Sequence, residues 1–187
     1  MSIDLQKSLR RLKPAKNIVQ LQPRPDAALQ PAASLEVSTQ NKFLLDTNVL
    51  IRHAAGELPP HVLDLITQAI ILYQCTVCIS EICVGLSHRN VAHPNWVKEC
   101  SYWNAEFATY SEARILEPDD EIWVEAGLVT GSLSRLQHYS KTQMKDALND
   151  ALIYLTAAKY GVPVLTENRI DFDFIQQLVK RGKFYWF

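Results

Sequence analysis

From Lys42 to Phe187 the chain alternates short apolar runs with longer amphipathic stretches, and few folds accept that alternation. Strands are predicted at about 42–45, 75–79, 114–116, 162–165 and 184–187. Between them lie helices at about 60–74, 81–87, 94–110, 121–138, 143–160 and 171–180. The boundary residues agree: Pro59-Pro60 suits a helix start, Ser80 an N-cap, Asp119-Asp120-Glu121 a helix N-terminus, and Gly161 a C-cap. Alternation of this kind buries a parallel sheet under helices on both faces. The 187 residues suffice for one domain with a sizeable core.

Four carboxylates stand beside the apolar runs. Asp46 closes Phe43-Leu44-Leu45, Glu81 follows Thr76-Val77-Cys78-Ile79-Ser80, Asp150 introduces Ala151-Leu152-Ile153-Tyr154, and Asp171 comes shortly after Val162-Pro163-Val164-Leu165. A charge near a core is costly to bury unless it is paired or holds a metal. Few lysines or arginines lie near these positions, so the set points to a hard divalent cation bound through oxygen. In open α/β sheets a site forms beyond the carboxyl ends of the strands, where short connections bring all four acids together. Asp146 lies one helical turn before Asp150 and shares its face; Asp150 is given the metal role. Asp173 is read as surface-facing. Thr47, Asn48, Thr166 and Asn168 serve either to orient the carboxylates or as ordinary turn formers. Arg52, Arg89, Lys145 and Arg169 are candidate phosphate contacts.

Other chemistries find little support. The five histidines show no metal-ligand spacing, and there is no P-loop, dinucleotide glycine motif or Ser-His-Asp order. Cys75, Cys78 and Cys83 have the spacing C-x2-C-x4-C, with Cys100 beyond; they read as reduced thiols facing packed surfaces rather than a zinc site. The net charge of −1 excludes a generally basic nucleic-acid coat but not a local basic rim. No apolar run is long enough to span a bilayer, and no secretory signal opens the chain, so a cytoplasmic location is expected.

Residues 1–40 differ from residues 41–187. They hold four of the nine prolines and no aromatic residue, and their charge of +3 sets them against a remainder of −4. With so little apolar surface they read as a disordered basic leader, with a short amphipathic helix before Pro14 built on Ile3, Leu5, Leu9 and Leu12. A docking arm for a partner or nucleic acid is the functional alternative.

Leu44-Leu45-Asp46-Thr47-Asn48-Val49-Leu50-Ile51, Glu81-Ile82-Cys83-Val84-Gly85, Asp150-Ala151-Leu152-Ile153 and Thr166-x-Asn168-x-x-Asp171-Phe172 occur in that order. Together they resemble the four motifs of the PIN-domain ribonucleases, and within these the VapC-type toxins of toxin–antitoxin pairs. The resemblance implies a three-layer α/β/α fold with a central, mainly parallel sheet over 41–187. It implies a Mg²⁺- or Mn²⁺-dependent endoribonuclease in which Asp46, Glu81, Asp150 and Asp171 form the metal shell. It also implies an RNA substrate, a small antitoxin partner and a homodimer, for which the aromatic stripe Trp96, Trp103 and Phe107 offers a surface. The long leader and the long stretch 94–138 depart from the family pattern.

Two other readings compete. A haloacid-dehalogenase-type phosphatase would use an Asp after its first strand, but it needs a second Asp where Asn48 stands. A non-cleaving PIN module that grips RNA or protein usually lacks one of the acids, and here all four are present.

Overall fold

The computed structural model describes residues 3–187 and places five strands in one parallel sheet, in the order β3-β2-β1-β4-β5. The strands are β1 (Lys42–Leu45), β2 (Ile71–Cys75), β3 (Ile115–Leu116), β4 (Val164–Thr166) and β5 (Phe184–Trp186). Helices α2 (Thr47–Ala55), α3 (Pro60–Gln68), α4 (Thr76–His88) and α5 (Trp96–Ala108) lie on one face of the sheet. The other face carries α1 (Leu5–Leu12), α6 (Asp120–Gln137), α7 (Lys141–Tyr160) and α8 (Arg169–Leu178). The alternation predicted a parallel sheet covered by helices, and the PIN-domain resemblance implied this three-layer α/β/α arrangement.

The core explains the order of the elements. β1 is central and buries Phe43, Leu44 and Leu45, and α7 buries every residue from Ala151 to Ala157 between the sheet and α6. Gly161 ends α7 in the left-handed region, φ 65°, where a side chain would be strained. The chain there turns straight into β4.

Several local readings are corrected. Thr76–Ile79 is the first turn of α4 rather than strand, and β2 lies four residues earlier than expected, paired with β1 through Lys42↔Ile71 and Phe43↔Leu72. A short β-branched apolar run cannot by itself distinguish a buried strand from a helix start. Cys75, not Ser80, occupies the N-cap, and α3 ends at Gln68. Asp46 caps a helix directly, so Thr47 and Asn48 are the first residues of α2 rather than turn formers. A Ser140–Gln143 capping box starts α7 early enough to place Asp150 in mid-helix. Cys75 and Cys78 are buried free thiols as expected, but Cys83 is exposed. Trp103 is buried in the core with Phe107 packed beside it, so the aromatic stripe presents less free surface than its sequence suggested.

The leader also departs from expectation. α1 forms where predicted, but the described residues of 1–40 are packed rather than disordered. Leu12, Leu29 and Ala32 are buried in the body. Lys7 and Arg11 pair with Glu121 at 2.9 and 2.7 Å. Arg24 reaches the fully buried Asp173 through Nε at 2.5 Å and its own N–H at 2.7 Å. Asp173 is therefore an internal anchor, not a surface residue. Further on, Pro31 bridges Trp186 beside β5. The leader has too little apolar surface for a core of its own, so it is held by seating a few apolar side chains in the body's core together with these long-range ion pairs and hydrogen bonds.

Candidate active site

Asp46 stands where β1 ends and α2 begins, only 3% exposed. Its Oδ1 accepts the Thr47 N–H at 2.8 Å. Its Oδ2 accepts Thr166 Oγ1 at 2.6 Å and Asn48 Nδ2 at 2.7 Å. Thr166 ends β4, the direct neighbour of β1, so sheet pairing sets this contact. Asn48 Oδ1 accepts the Glu167 N–H at 3.1 Å, and Thr166 Oγ1 accepts the Asn168 N–H at 2.8 Å. The turns after β1 and β4 are thereby locked together.

The other three acids come from helices on both faces. Glu81 on α4 accepts the Thr47 hydroxyl on one oxygen and Asn149 Nδ2 at 2.7 Å on the other. Asp150 follows Asn149 on α7 and accepts Asn168 Nδ2 at 3.1 Å. The same amide reaches Asp171 Oδ2 at 2.9 Å, and Tyr139 OH donates to Asp171 Oδ1 at 3.3 Å. Asn168 Oδ1 also caps α8 by accepting the Asp171 N–H. All eight residues predicted for the site are thus joined in one network at the carboxyl ends of β1 and β4.

Two members were missed by sequence reading. Asn149 and Tyr139 carry no motif, and their roles follow from the rotation of α7 and from where the α6–α7 connection lands. Asp146 is exposed one turn above Asp150, beside a cavity of about 730 Å³ that Lys145, Glu81, Asn149 and Trp123 also line. Of the candidate phosphate contacts, Arg52 pairs with Glu167 at 2.8 Å, Arg89 with Glu99 at 2.5 Å and Arg169 with Asp26 at 2.7 Å. Lys145 has no ion-pair partner among the described residues.

Charge accumulates at this centre. Burial lifts the Asp46 carboxyl to about 6, and the charge on Glu81 adds to the rise, against the lowering hydrogen bonds from Thr166, Thr47 and Asn48. Asp150 is raised well above the carboxylate range, first by burial and then by the charges of Asp46, Asp171, Glu81 and Asp146. Among the described residues no Lys or Arg pairs with any of the four acids. An all-oxygen donor set of this charge has the chemistry of a Mg²⁺ or Mn²⁺ site. No group of three or more His, Cys, Asp or Glu side chains placed to hold a metal ion occurs among the described residues, and a Mg²⁺ ion is commonly held by one or two carboxylates with water completing its shell. The Asn168 amide stands between Asp150 and Asp171.

The family model described as PIN domain matches residues 43–175, most of the chain. The protein belongs to the PIN-domain family. Solved structures share the fold. A VapBC2 complex from Rickettsia felis, bound to a DNA fragment from its promoter, has a chain aligned at 13% identity and TM-score 0.55, covering 78% of this chain and 98% of that one. DNA-bound VapBC from Salmonella typhimurium aligns at 16% identity and TM-score 0.54, covering 77% and 96%. FitAcB from Neisseria gonorrhoeae aligns at 18% and 0.52, covering 76% and 96%. No curated protein matches the chain in sequence. The leader before residue 43 lies outside the family match. No helix among the described residues is long and apolar enough to cross a membrane.

Proposed function

We propose that this PIN-domain protein is a metal-dependent endoribonuclease acting as the toxin of a VapC-type toxin–antitoxin pair in the cytoplasm. The observation that carries the reading is the set of four carboxylates gathered from β1, α4, α7 and α8 without a basic partner among the described residues, in a chain of this family. Asp46, Glu81, Asp150 and Asp171 would hold Mg²⁺ or Mn²⁺. When bound, the ion supplies charge neutralisation at the scissile phosphate and a more acidic water.

The chain's own residues prepare that chemistry. Thr166 and Asn48 fix both the position and the ionisation of Asp46, since hydrogen bonds to a carboxylate favour its charged form. Asn168 holds Asp150 of α7 and Asp171 of α8 to one donor, which sets the two acids relative to each other. Thr47 and Asn149 turn Glu81 towards the same mouth. Hydrolysis at such a centre leaves a 5′-phosphate and a 3′-hydroxyl. The partners we assign are an RNA substrate, a small antitoxin that places a basic side chain among the acids, and a second copy of the chain.

The test is cleavage of a mixed RNA pool by purified protein during a Mn²⁺ and Mg²⁺ titration, with sequencing of the new ends. Shortened RNA that appears only with the ion, and carries 5′-phosphates, supports the reading. RNA that is retarded but never shortened supports the alternative, a binding module that grips without cutting. Sedimentation as a monomer with activity intact would remove the homodimer.

A further inference from the structure

We propose that the face opposite the carboxylates is a second RNA-binding site, a basic band that holds the phosphate backbone while another part of the strand enters the acidic centre. The proposal rests on RNA as the substrate and specifies how the protein attracts it.

Two adjoining grooves, of about 560 and 580 Å³, share Lys180. One runs between the end of α1 and the chain after α8 and carries Lys13 and Lys16. The other lies below the starts of β1 and β5 and carries Lys42 and Lys183. All five lysines are exposed, and none has an ion-pair partner among the described residues. Arg11 and Arg181 also line the first groove. The one carboxylate there, Glu125, is buried and already bound to Arg181, with Arg11 at 3.6 Å. Seven of the chain's 19 basic residues thus line the two grooves, the five lysines without an ion pair among the described residues and the two arginines paired, Arg11 with Glu121 and Arg181 with Glu125, on a protein whose net charge is −1.

Its position follows from the topology. Lys42 opens β1 and Asp46 follows its other end; Lys180 lies past the last turn of α8 and Asp171 sits in its first. At about 1.5 Å per helical residue, α8 separates the two sites by roughly 15 Å. The leader supplies Lys13 and Lys16, and every basic residue of the band lies before or after the segment that the family model matches. Four acids at one pole repel a polyanion at long range, whereas unpaired lysines at the other attract it and release its counterions. Lys180 also favours the C-terminal end of α8 electrostatically, but that accounts for one lysine and not five.

The test uses the full chain with Asp150→Asn, which removes cleavage, and a fluorescein-labelled single-stranded RNA followed by anisotropy from about 50 to 200 mM salt. Adding Lys13→Gln, Lys16→Gln and Lys180→Gln should weaken binding at least about tenfold at low salt and flatten the salt slope by about 2, near 0.7 per lost contact. Lys42→Gln with Lys183→Gln should flatten it by about 1.4, and serves if the triple variant unfolds early. An unchanged slope and affinity in both variants overturns the proposal. So does an unchanged RNA slope with lost binding of polyglutamate, which would make the band a seat for an acidic polypeptide. If the unsubstituted protein cuts no RNA with either ion, the nuclease reading falls while the slopes still judge the band.

Discussion

Asp173 in mid-α8 and Asp46 at the end of β1 are both buried carboxylates, yet their surroundings are opposite. Asp173 is fully buried and answered by Arg24 through a side chain and a backbone N–H; Glu125, equally hidden, is answered by Arg181. Asp46 and Asp150 receive only hydroxyls, amides and one backbone N–H. Removing one partner of a buried ion pair strands a charge. A carboxylate left without a cation repels its neighbours and shifts towards its neutral form. The chain compensates the acids that hold it together and leaves the others charged against one another, the arrangement expected of a site that awaits an external cation.

The comparison breaks most readily at the site. Asp46→Asn and Asp150→Asn are expected to lower RNA cleavage about 10³-fold or more, the scale of several kcal/mol of lost charge stabilisation. Melting temperatures should hold or rise, because each change removes repulsion. A variant that melts early would mean that the acids serve the fold. Arg24→Ala should do the reverse. It leaves Asp173 buried and unpaired at a cost of about 3 kcal/mol, or roughly 6–12 °C in Tm by calorimetry. Adding Asp173→Asn should recover much of that loss, and failure to recover would show that Arg24 acts by packing alone.

Smaller effects sharpen the contrast. Asn149→Ala removes the donor that orients Glu81 and should weaken Mn²⁺ binding about 10–100-fold by titration calorimetry, with little change in Tm. The pH response follows from the raised Asp46 carboxyl, about 6 against an ordinary 3.8. The folded protein holds this proton more tightly than the unfolded chain, so metal-free stability is lost as pH rises through about 6 and gained as pH falls from 7 towards 5. Ion binding needs the charged form and should weaken over the same fall. Scanning fluorimetry of the metal-free protein should show Tm rising on acidification, less so in Asp46→Asn. A flat profile in both would place the Asp46 carboxyl in its ordinary range.

Much of this was legible in the chain, and the misses have physical causes. β1, β4 and β5 announce themselves because apolar runs end at Asp46, Gly161 bounds α7, and aromatics close the chain. β2 was misplaced because Thr76-Val77-Cys78-Ile79 has strand-like residues that here pack as a helix, with Val77, Cys78 and Ile82 buried. The primary set of site residues was readable from spacing. Asn149 and Tyr139 were not, since each depends on the phase of a helix relative to a neighbour distant in sequence. The leader was least legible of all. Arg24 and Asp173 lie 149 residues apart, and no local pattern in a Pro-containing polar segment reports a partner at that distance.

The strand order has a consequence in time. β1, which carries Asp46, has β2 on one side and β4 on the other, and β4 is made long after both. During synthesis the ribosome delivers Asp46 and Glu81 early, then Asp150, and only later Thr166, Asn168 and Asp171. The leader, made first, waits longer still, for Asp173 on α8 and for Trp186 beside Pro31. A growing chain therefore carries half a centre and an open sheet edge. On the nuclease reading proposed above, the site is complete only when the last elements arrive.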